Sequence, residues 1–515
     1  MRNPHFVGLF AAGAFGLGHD AAAQQVIWQI EANDFVDRLS NVSVGPDITG
    51  DGVAELLLGY VDEACGSGSY GVVRLFSTNL GQLQQWCGED TNFGAPVGWL
   101  DDIDGRGVAD IVICEQGYNE PSKGANTGRI QVYSGEDATL LYEVIGTLPY
   151  GYFGRFDVLG DVDGDGLRDL ILGSDSYGPN FEGQAWILSG ATGTQIRTHL
   201  GTSLDEGFGQ LVRGLGDVDG DGVHDYGIYR SRVNKGGLDV HSGQTGALIF
   251  RKDGGGGENF AIWFGPCSDQ DGDGLADVLV SRLISSFNPG DGRVDAYSPI
   301  SGTLIWSVAG ISKKEYYARP TVEVADQNAD GISDFLFATR YDDHDGRDSG
   351  RVDLISGATL RPLFRFYPNA TGVNGFGETL TLGADFNGDG IEDLVMGCGD
   401  GGSLSNDAGI VQIRAGNDLW LQADPIDPVT GETVTVDLRG AASGRLGLIA
   451  LVSIDGVPTF DTLLLAPFDT NGELQFCADI DSSLSGMEFT LMGYAQKSSG
   501  RGRLLDATPF VVTVQ

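Results

Sequence analysis

Basic residues are scarce in this chain: 31 Lys and Arg stand against 72 Asp and Glu, a formal net charge of -41. Contacts to a phosphate backbone need clustered Lys and Arg, so the balance argues against a nucleic-acid partner. Long apolar runs are also missing. Beyond the N-terminal residues no stretch approaches the roughly 18 unbroken apolar positions of a spanning helix, and no membrane span is expected. Cysteine is sparse, with six residues (Cys65, Cys87, Cys114, Cys267, Cys398 and Cys477) and no Cys-x-x-Cys, which argues against a sulfur-ligated metal knuckle or a thioredoxin-like centre. Cys65, Cys87 and Cys114 are close enough in sequence to include one disulfide. His199, His224, His241 and His344 are read as lying in different repeats without metal-ligand spacing. There is no HExxH, no Walker A lysine and no G-x-S-x-G elbow, and no catalytic residue is nominated. No 12-residue stretch carries a helical period.

Acid and glycine are what the chain has in excess. Glycine supplies 81 residues, more than double the usual share of about 7%, and no strict Gly-x-y period runs through them, which excludes collagen. Both surpluses concentrate in one pattern, D-x-[DNT]-x-D-G-x-x-[DE]. It reads DITGDGVAE from Asp47, DVDGDGLRD from Asp161, DVDGDGVHD from Asp217, DQDGDGLAD from Asp269, DQNADGISD from Asp326 and DFNGDGIED from Asp385. An altered copy, DIDGRGVAD, starts at Asp102. Successive copies begin 52 to 59 residues apart, the period of a propeller blade or a solenoid unit.

Each loop has the same neighbours. An alternating apolar stretch precedes it, as in LVRGLGD, and a leucine-rich or β-branched run follows: ELLLG from Glu55, DLILG from Asp169, DVLVS from Asp277, DLVMG from Asp393. A third strand opens on glycine, as in GRIQVYSG from Gly128, and a small turn leads to a fourth. Four short strands per repeat make an antiparallel meander. Seven such sheets cannot each bury an apolar face alone, but packed radially they close a ring with short protected edges. The expected fold class is therefore all-β: a seven-bladed β-propeller over residues 24–422, a proline-containing linker at 423–431, and a small β-sandwich at 432–515. The segment VIWQI at 26–30 resembles a fourth strand yet precedes the first loop. Either it or residues 418–422 completes the seventh sheet.

The Phe-Gly pairs before the inner strand (Phe93-Gly94, Phe153-Gly154, Phe208-Gly209, Phe376-Gly377), the acidic loop and the small-residue turn together resemble the FG-GAP/VCBS repeat family. That family includes the N-terminal propeller of integrin alpha subunits, and the resemblance covers about residues 26–422. It implies an exported, calcium-stabilised binding or adhesion scaffold. The chain departs from the pattern at Asn259-Phe260-Ala261 and Tyr316-Tyr317-Ala318, where the two blades are expected to seat differently. The C-terminal stretch resembles modules found in exported planctomycete-type bacterial proteins.

Oxygen ligands in a tight, glycine-permitted turn suit a hard cation such as Ca²⁺. The EF-hand alternative fails because no helices flank the loops and no Glu stands at position 12. The expected ligands are Asp161, Asp163, Asp165, Asp169 and the carbonyl of Leu167; Asp217, Asp219, Asp221, Asp225 and the carbonyl of Val223; and Asp269, Asp271, Asp273, Asp277 and the carbonyl of Leu275. Asp326, Asn328, Asp330, Asp334 and the Ile332 carbonyl follow, then Asp385, Asn387, Asp389, Asp393 and the Ile391 carbonyl. The first loop offers Asp47, Thr49, Asp51 and Glu55. This gives five or six calcium sites, with the Asp102 loop set aside. There Arg106 takes a ligand position, and its charge is expected to replace the ion by pairing with Asp102 or Asp104.

The first residues follow signal-peptide grammar, with Arg2, an apolar stretch at 6–17 and Ala21-Ala22-Ala23 before Gln24, so residues 1–23 are expected to be a leader and the protein secreted or at the cell surface. In a four-strand meander the acidic loops share a face with the small turns. The opposite face collects the variable segments at 115–127, 174–182, 230–235, 281–291, 339–349 and 399–408, together with Tyr152, Phe153, Tyr316, Tyr317 and Phe376. Long loops on a rigid scaffold are where recognition resides. That face is expected to bind an extracellular glycan or protein. An extracellular polysaccharide lyase or hydrolase built on the propeller is the alternative.

Overall fold

The computed structural model describes residues 26–31, 39–65 and 69–414 outside short loop segments at 177, 179–181, 204–205, 232–235, 256–257, 285–291, 311–316, 328–330, 344–347, 369–373, 382, 387–391 and 399–409; from 420 onward it describes the backbones of strands. The expected leader lies outside the described residues. Seven four-stranded antiparallel sheets follow one another in chain order and form the blades of a β-propeller. Blade three is representative, with strands Arg155–Val158, Leu170–Ser174, Gln184–Leu188 and Gln195–Leu200 running from the centre outward.

The leucine-rich runs are continuous because both faces of a blade are covered. In the second strand of blade three, Leu170, Ile171 and Leu172 are all fully buried. Their side chains still alternate. Leu170 and Leu172 enter a core shared with Val112, Ile130 and Val132 of blade two, while Ile171 joins Phe208, Tyr226 and Ile228 of blade four. Every blade thus contributes to two cores, and no blade buries its apolar surface unaided. The outermost strands are half exposed, and Leu140, Leu200, Leu248 and Leu304 all reach solvent from them or their ends.

Phe-Gly seats one blade on the next. Phe93, Phe153, Phe208 and Phe376 are buried. Gly209 takes a φ of 87°, and a side chain at Gly173 of the preceding blade would place its Cβ 2.0 Å from the Gly209 carbonyl oxygen. Blade five lacks the pair, yet Phe260 is buried and Ala261 keeps the left-handed turn with a φ of 54°. The expected reseating is therefore not seen there: the alanine bears the local strain. Tyr316 lies outside the described residues.

The ring is closed by its own beginning. Strand Val26–Glu31 pairs antiparallel with Ile410–Arg414 at the outer edge of the seventh sheet, with Ile30 opposite Val411. Gln412 Nε2 donates to Gln29 Oε1 at 2.8 Å, and Trp28 packs edge-on against Phe76 of blade one. The other sequence candidate goes elsewhere: Trp420–Asp424, which crosses the expected boundary at 422, pairs with Thr433–Arg439. Beyond the propeller the strands form a three-stranded and a five-stranded sheet.

The inner strands line a central channel of about 1200 Å³. Two charge pairs cross between neighbouring blades there, Arg213 with Asp157 at 3.8 Å and Arg340 with Glu378 at 2.8 Å. Of the cysteines, Cys65 and Cys87 form a disulfide. Cys114, Cys267 and Cys398 are buried free thiols, each raised in pKa by burial. Among the described residues no helix is long and apolar enough to cross a membrane.

Candidate metal-binding loops

Each acidic loop is folded by its own carboxylates. The first Asp accepts from the backbone N–H groups at positions four and six: Asp161 from Gly164 and Gly166 at 2.6 and 2.8 Å, Asp217 from Gly220 and Gly222 at 2.7 and 2.9 Å, Asp269 from Gly272 and Gly274 at 2.7 Å each. This Asx-type wrapping requires a left-handed backbone. Gly164 and Gly166 have φ of 85° and 90° with open space where a Cβ would lie, so glycine is needed there for its dihedral freedom. These N–H donors hold the Asp47, Asp102 and Asp269 carboxyls below the usual range, led by Gly52, Gly107 and Gly274.

The ninth residue has a second task. In all seven repeats its carboxylate accepts the N–H of position two at 2.7 to 2.8 Å: Glu55 from Ile48, Asp110 from Ile103, Asp169 from Val162, Asp225 from Val218, Asp277 from Gln270, Asp334 from Gln327 and Asp393 from Phe386. In four repeats the other oxygen accepts from the glycine of the small turn, Gly135, Gly190, Gly243 or Gly357, at 2.8 to 3.0 Å. The acidic loops and the small turns therefore share a face. All seven carboxylates are buried, and burial pushes Asp169, Asp225 and Asp277 up to about 6.

Five sets of carboxylates converge so that one oxygen of each residue lies within 4.8 Å of the others: Asp47, Asp51 and Glu55; Asp102, Asp104 and Asp110; Asp161, Asp163 and Asp169; Asp217, Asp219 and Asp225; Asp269, Asp271 and Asp273. All donors are hard oxygens, which fits calcium. Asp165, Asp221 and Asp277 are outside these sets; the side chains of Asp165 and Asp221 accept the N–H groups of Leu167 and Val223. Thr49 hydrogen-bonds Glu55 at 2.9 Å. Asn328, Asp330, Asn387, Asp389 and Ile391 lie outside the described residues. In the Asp102 loop the acids still gather. Arg106 pairs with Asp104 at 3.3 Å and reaches Glu136 and Asp137 in the adjoining turn, while its backbone N–H, not its side chain, meets Asp102.

The histidines are not dispersed. His224 and His241 belong to one blade, and the edge strand of blade three carries the His199 ring to 4.3 Å from that of His241. His199 Nε2 lies 2.8 Å from the Tyr226 hydroxyl. Sequence spacing could not show this, because the contact crosses from one blade to the next. Burial lowers His199 to about 3, with His241 and Arg197 adding to it, and burial also lowers His241. A histidine held neutral contributes stability above its unfolded value near 6.5 and loses it as pH falls toward the folded value. In metal-free buffer the wild type is therefore expected to lose stability faster between pH 6.5 and 4 than His199→Gln, by up to about 1.4 kcal/mol per pH unit. Thermal melts across that range measure it, and parallel curves would refute it.

The sequence reading also placed Phe153 and Phe376 on the recognition face. Both are core residues instead, Phe153 edge-on to Trp186 at 4.9 Å. The blade connection before them does present aromatics: Tyr150 and Tyr152 are 59% and 37% exposed, with φ of 58° and 48°. Their N–H groups donate to Ala125 and Asn126 at 2.8 and 3.0 Å, which fixes the loop. Tyr150 was not singled out from sequence, although its PYGYFG context marks a turn.

The fold and loops define a seven-bladed β-propeller with repeated acidic, glycine-turned loops on one face. Comparison with known proteins agrees. Residues 153–188, in blade three, match the FG-GAP repeat. The chain is 28% identical over 190 residues to integrin alpha-8 of Gallus gallus, 34% of this chain and 18% of that protein. It is 28% identical over 178 residues to integrin alpha-4 of Xenopus laevis, 31% of this chain and 17% of that protein. It thus spans under a fifth of these relatives' length. The crystal structure of Saccharomyces cerevisiae Sqt1 aligns with a TM-score of 0.44 and 11% identity, over 79% of this chain and 94% of that one, too low a score to bear on function. The chain is thus a seven-bladed propeller that carries a match to the FG-GAP repeat and is similar, over about a third of its length, to integrin alpha chains.

Proposed function

We propose that this protein is an exported, calcium-stabilised adhesion scaffold that recognises an extracellular glycan or protein through the face opposite its acidic loops. The observation that carries the reading is the rigid 148–152 segment. Left-handed backbone costs roughly 1–2 kcal/mol for a non-glycine residue, and Tyr150 and Tyr152 accept it while keeping their rings in solvent, where burial returns little. Tyrosine supplies large, stiff, amphipathic contact area. Calcium in the acidic loops would hold the opposite face of each blade fixed. In this reading residues 1–23 direct export, and the two C-terminal sheets form a sandwich.

The test is a glycan array and capture of biotinylated extracellular proteins by the calcium-loaded chain, repeated with Tyr150→Ala/Tyr152→Ala. Binding without product release, abolished in the variant at an unchanged melting temperature, is expected. Retained binding in the variant, or turnover of a polysaccharide substrate, overturns the assignment.

A further inference from the structure

The contact between blades three and four holds a group of side chains that the calcium loops do not use. His241 Nδ1 lies 3.1 Å from the Gly246 carbonyl oxygen. A carbonyl only accepts, so Nδ1 carries the proton and the neutral ring has its lone pair on Nε2. That Nε2 is buried and has no hydrogen-bond partner, on a side chain whose residue is 8% exposed. A buried acceptor left without a donor is unfavourable, and among the described residues none donates to it. Arg197 Nη1 donates to the Tyr226 oxygen at 3.3 Å, and the Tyr226 hydroxyl lies 2.8 Å from His199 Nε2, so that nitrogen faces the cluster. Its ring is 4.3 Å from His241 and 5.6 Å from Tyr226.

We propose that His199, His241 and Tyr226 form a binding site for a borderline transition-metal ion of the Zn²⁺ or Cu²⁺ class, separate from the calcium loops. Two imidazole nitrogens and a phenol oxygen are the donor set such ions select over calcium. The Nδ1–H of His241 bonded to a backbone carbonyl is the outer-sphere contact that orients a ligating histidine. On binding, the phenol gives up its proton to solvent, and the resulting phenolate lies beside the Arg197 guanidinium, which is held in place by the carbonyls of Gly243 and Gln244 at 2.8 and 3.1 Å. Two neutral imidazoles and one phenolate leave the ion with a single net positive charge against that guanidinium. His199 is half-buried at the blade's outer edge and gives the ion a path from solvent. An ion there would tie the edge strand of blade three to the two middle strands of blade four.

The experiment is titration of the full chain with Zn²⁺ in saturating calcium, followed by isothermal calorimetry. Wild type is expected to take up one Zn²⁺ that His241→Gln and His199→Gln each weaken roughly 100-fold, while His344→Gln does not. Melting in calcium verifies that each variant is folded; should His241→Gln fail to fold, the more exposed His199→Gln gives the same reading. Titration with Cu²⁺ adds a phenolate-to-metal absorption band that Tyr226→Phe removes. Absence of Zn²⁺ uptake by the wild type, or uptake of equal affinity in both histidine variants, overturns the proposal.

Discussion

Removing calcium is expected to lower the thermal midpoint of this protein by roughly 10 °C. At a free concentration 100 times Kd, each occupied site contributes about 2.7 kcal/mol, so the four converging carboxylate sets other than that of the Asp102 loop contribute on the order of 10 kcal/mol. For a propeller of this length the unfolding entropy converts that figure to roughly 10 °C. The physical cause is on one face of the ring. Three carboxylate oxygens lie within 4.8 Å of one another in each of the loops beginning at Asp47, Asp161, Asp217 and Asp269, and like charges at that distance repel by about 1–3 kcal/mol per pair. In the Asp47, Asp161 and Asp217 loops the ninth carboxylate belongs to the set and is itself buried and tied to the backbone.

The pH dependence has a definite sign. Without cation, Asp169, Asp225 and Asp277 sit at about 6 in the folded state, above the unfolded value near 3.9. Their protonation supports the fold below about pH 4, and that contribution is lost as pH rises to about 6. Calcium takes the place of the proton, so the gap between calcium-loaded and chelated midpoints should widen from pH 4 to 7. Differential scanning calorimetry with calcium and with EDTA measures both effects. An unchanged midpoint after full chelation would sink the assignment. The altered loop gives a sharper check: Arg106→Asp restores an acidic fifth position and frees Asp104, and is expected to raise the calcium stoichiometry by one.

The second large effect lies inside blade two. Glu115 is fully buried and accepts from Arg129 Nε at 2.8 Å, with Arg129 Nη2 at 2.7 Å, and from the N–H groups of Glu89 and Asp90 at 2.6 Å. The guanidinium also meets Glu89 and Glu143 and lies 3.8 Å over the Tyr118 ring. Burial raises the Glu115 carboxyl, and Arg129 opposes that rise. Arg129→Met removes the opposition and leaves a buried carboxylate with backbone donors alone, a loss expected to reach about 3–5 kcal/mol. Adding Glu115→Gln should recover part of it, because the stranded charge is gone. Urea unfolding of wild type, single and double variants decides this. A single variant within about 0.5 kcal/mol of wild type, or a double variant no better than the single, would show that the pair does not hold the blade.

Related pairs recur where the third strand crosses a blade: Arg230 with Asp239 at 2.9 Å and Arg351 with Asp353 at 2.7 Å. In the sequence these residues are the polar members of an alternating strand, as in GRVDLISG. They are buried because a neighbouring blade covers the face they point to. The same cause hid the His199–His241 contact and reversed the placement of Phe153 and Phe376.

The sequence by itself determined the repeat, the number of blades, the glycines of the acidic loops and the carboxylates that gather in them. These are local: a nine-residue turn is folded by hydrogen bonds that its own backbone N–H groups donate to the carboxylates of its first and ninth residues, and strand period is written within five or six residues. Tertiary structure alone decided how the ring is latched, which polar residues are buried, and which side chains of successive blades meet. Those outcomes depend on which surface faces the next blade, and that is fixed only when all seven sheets pack around one axis.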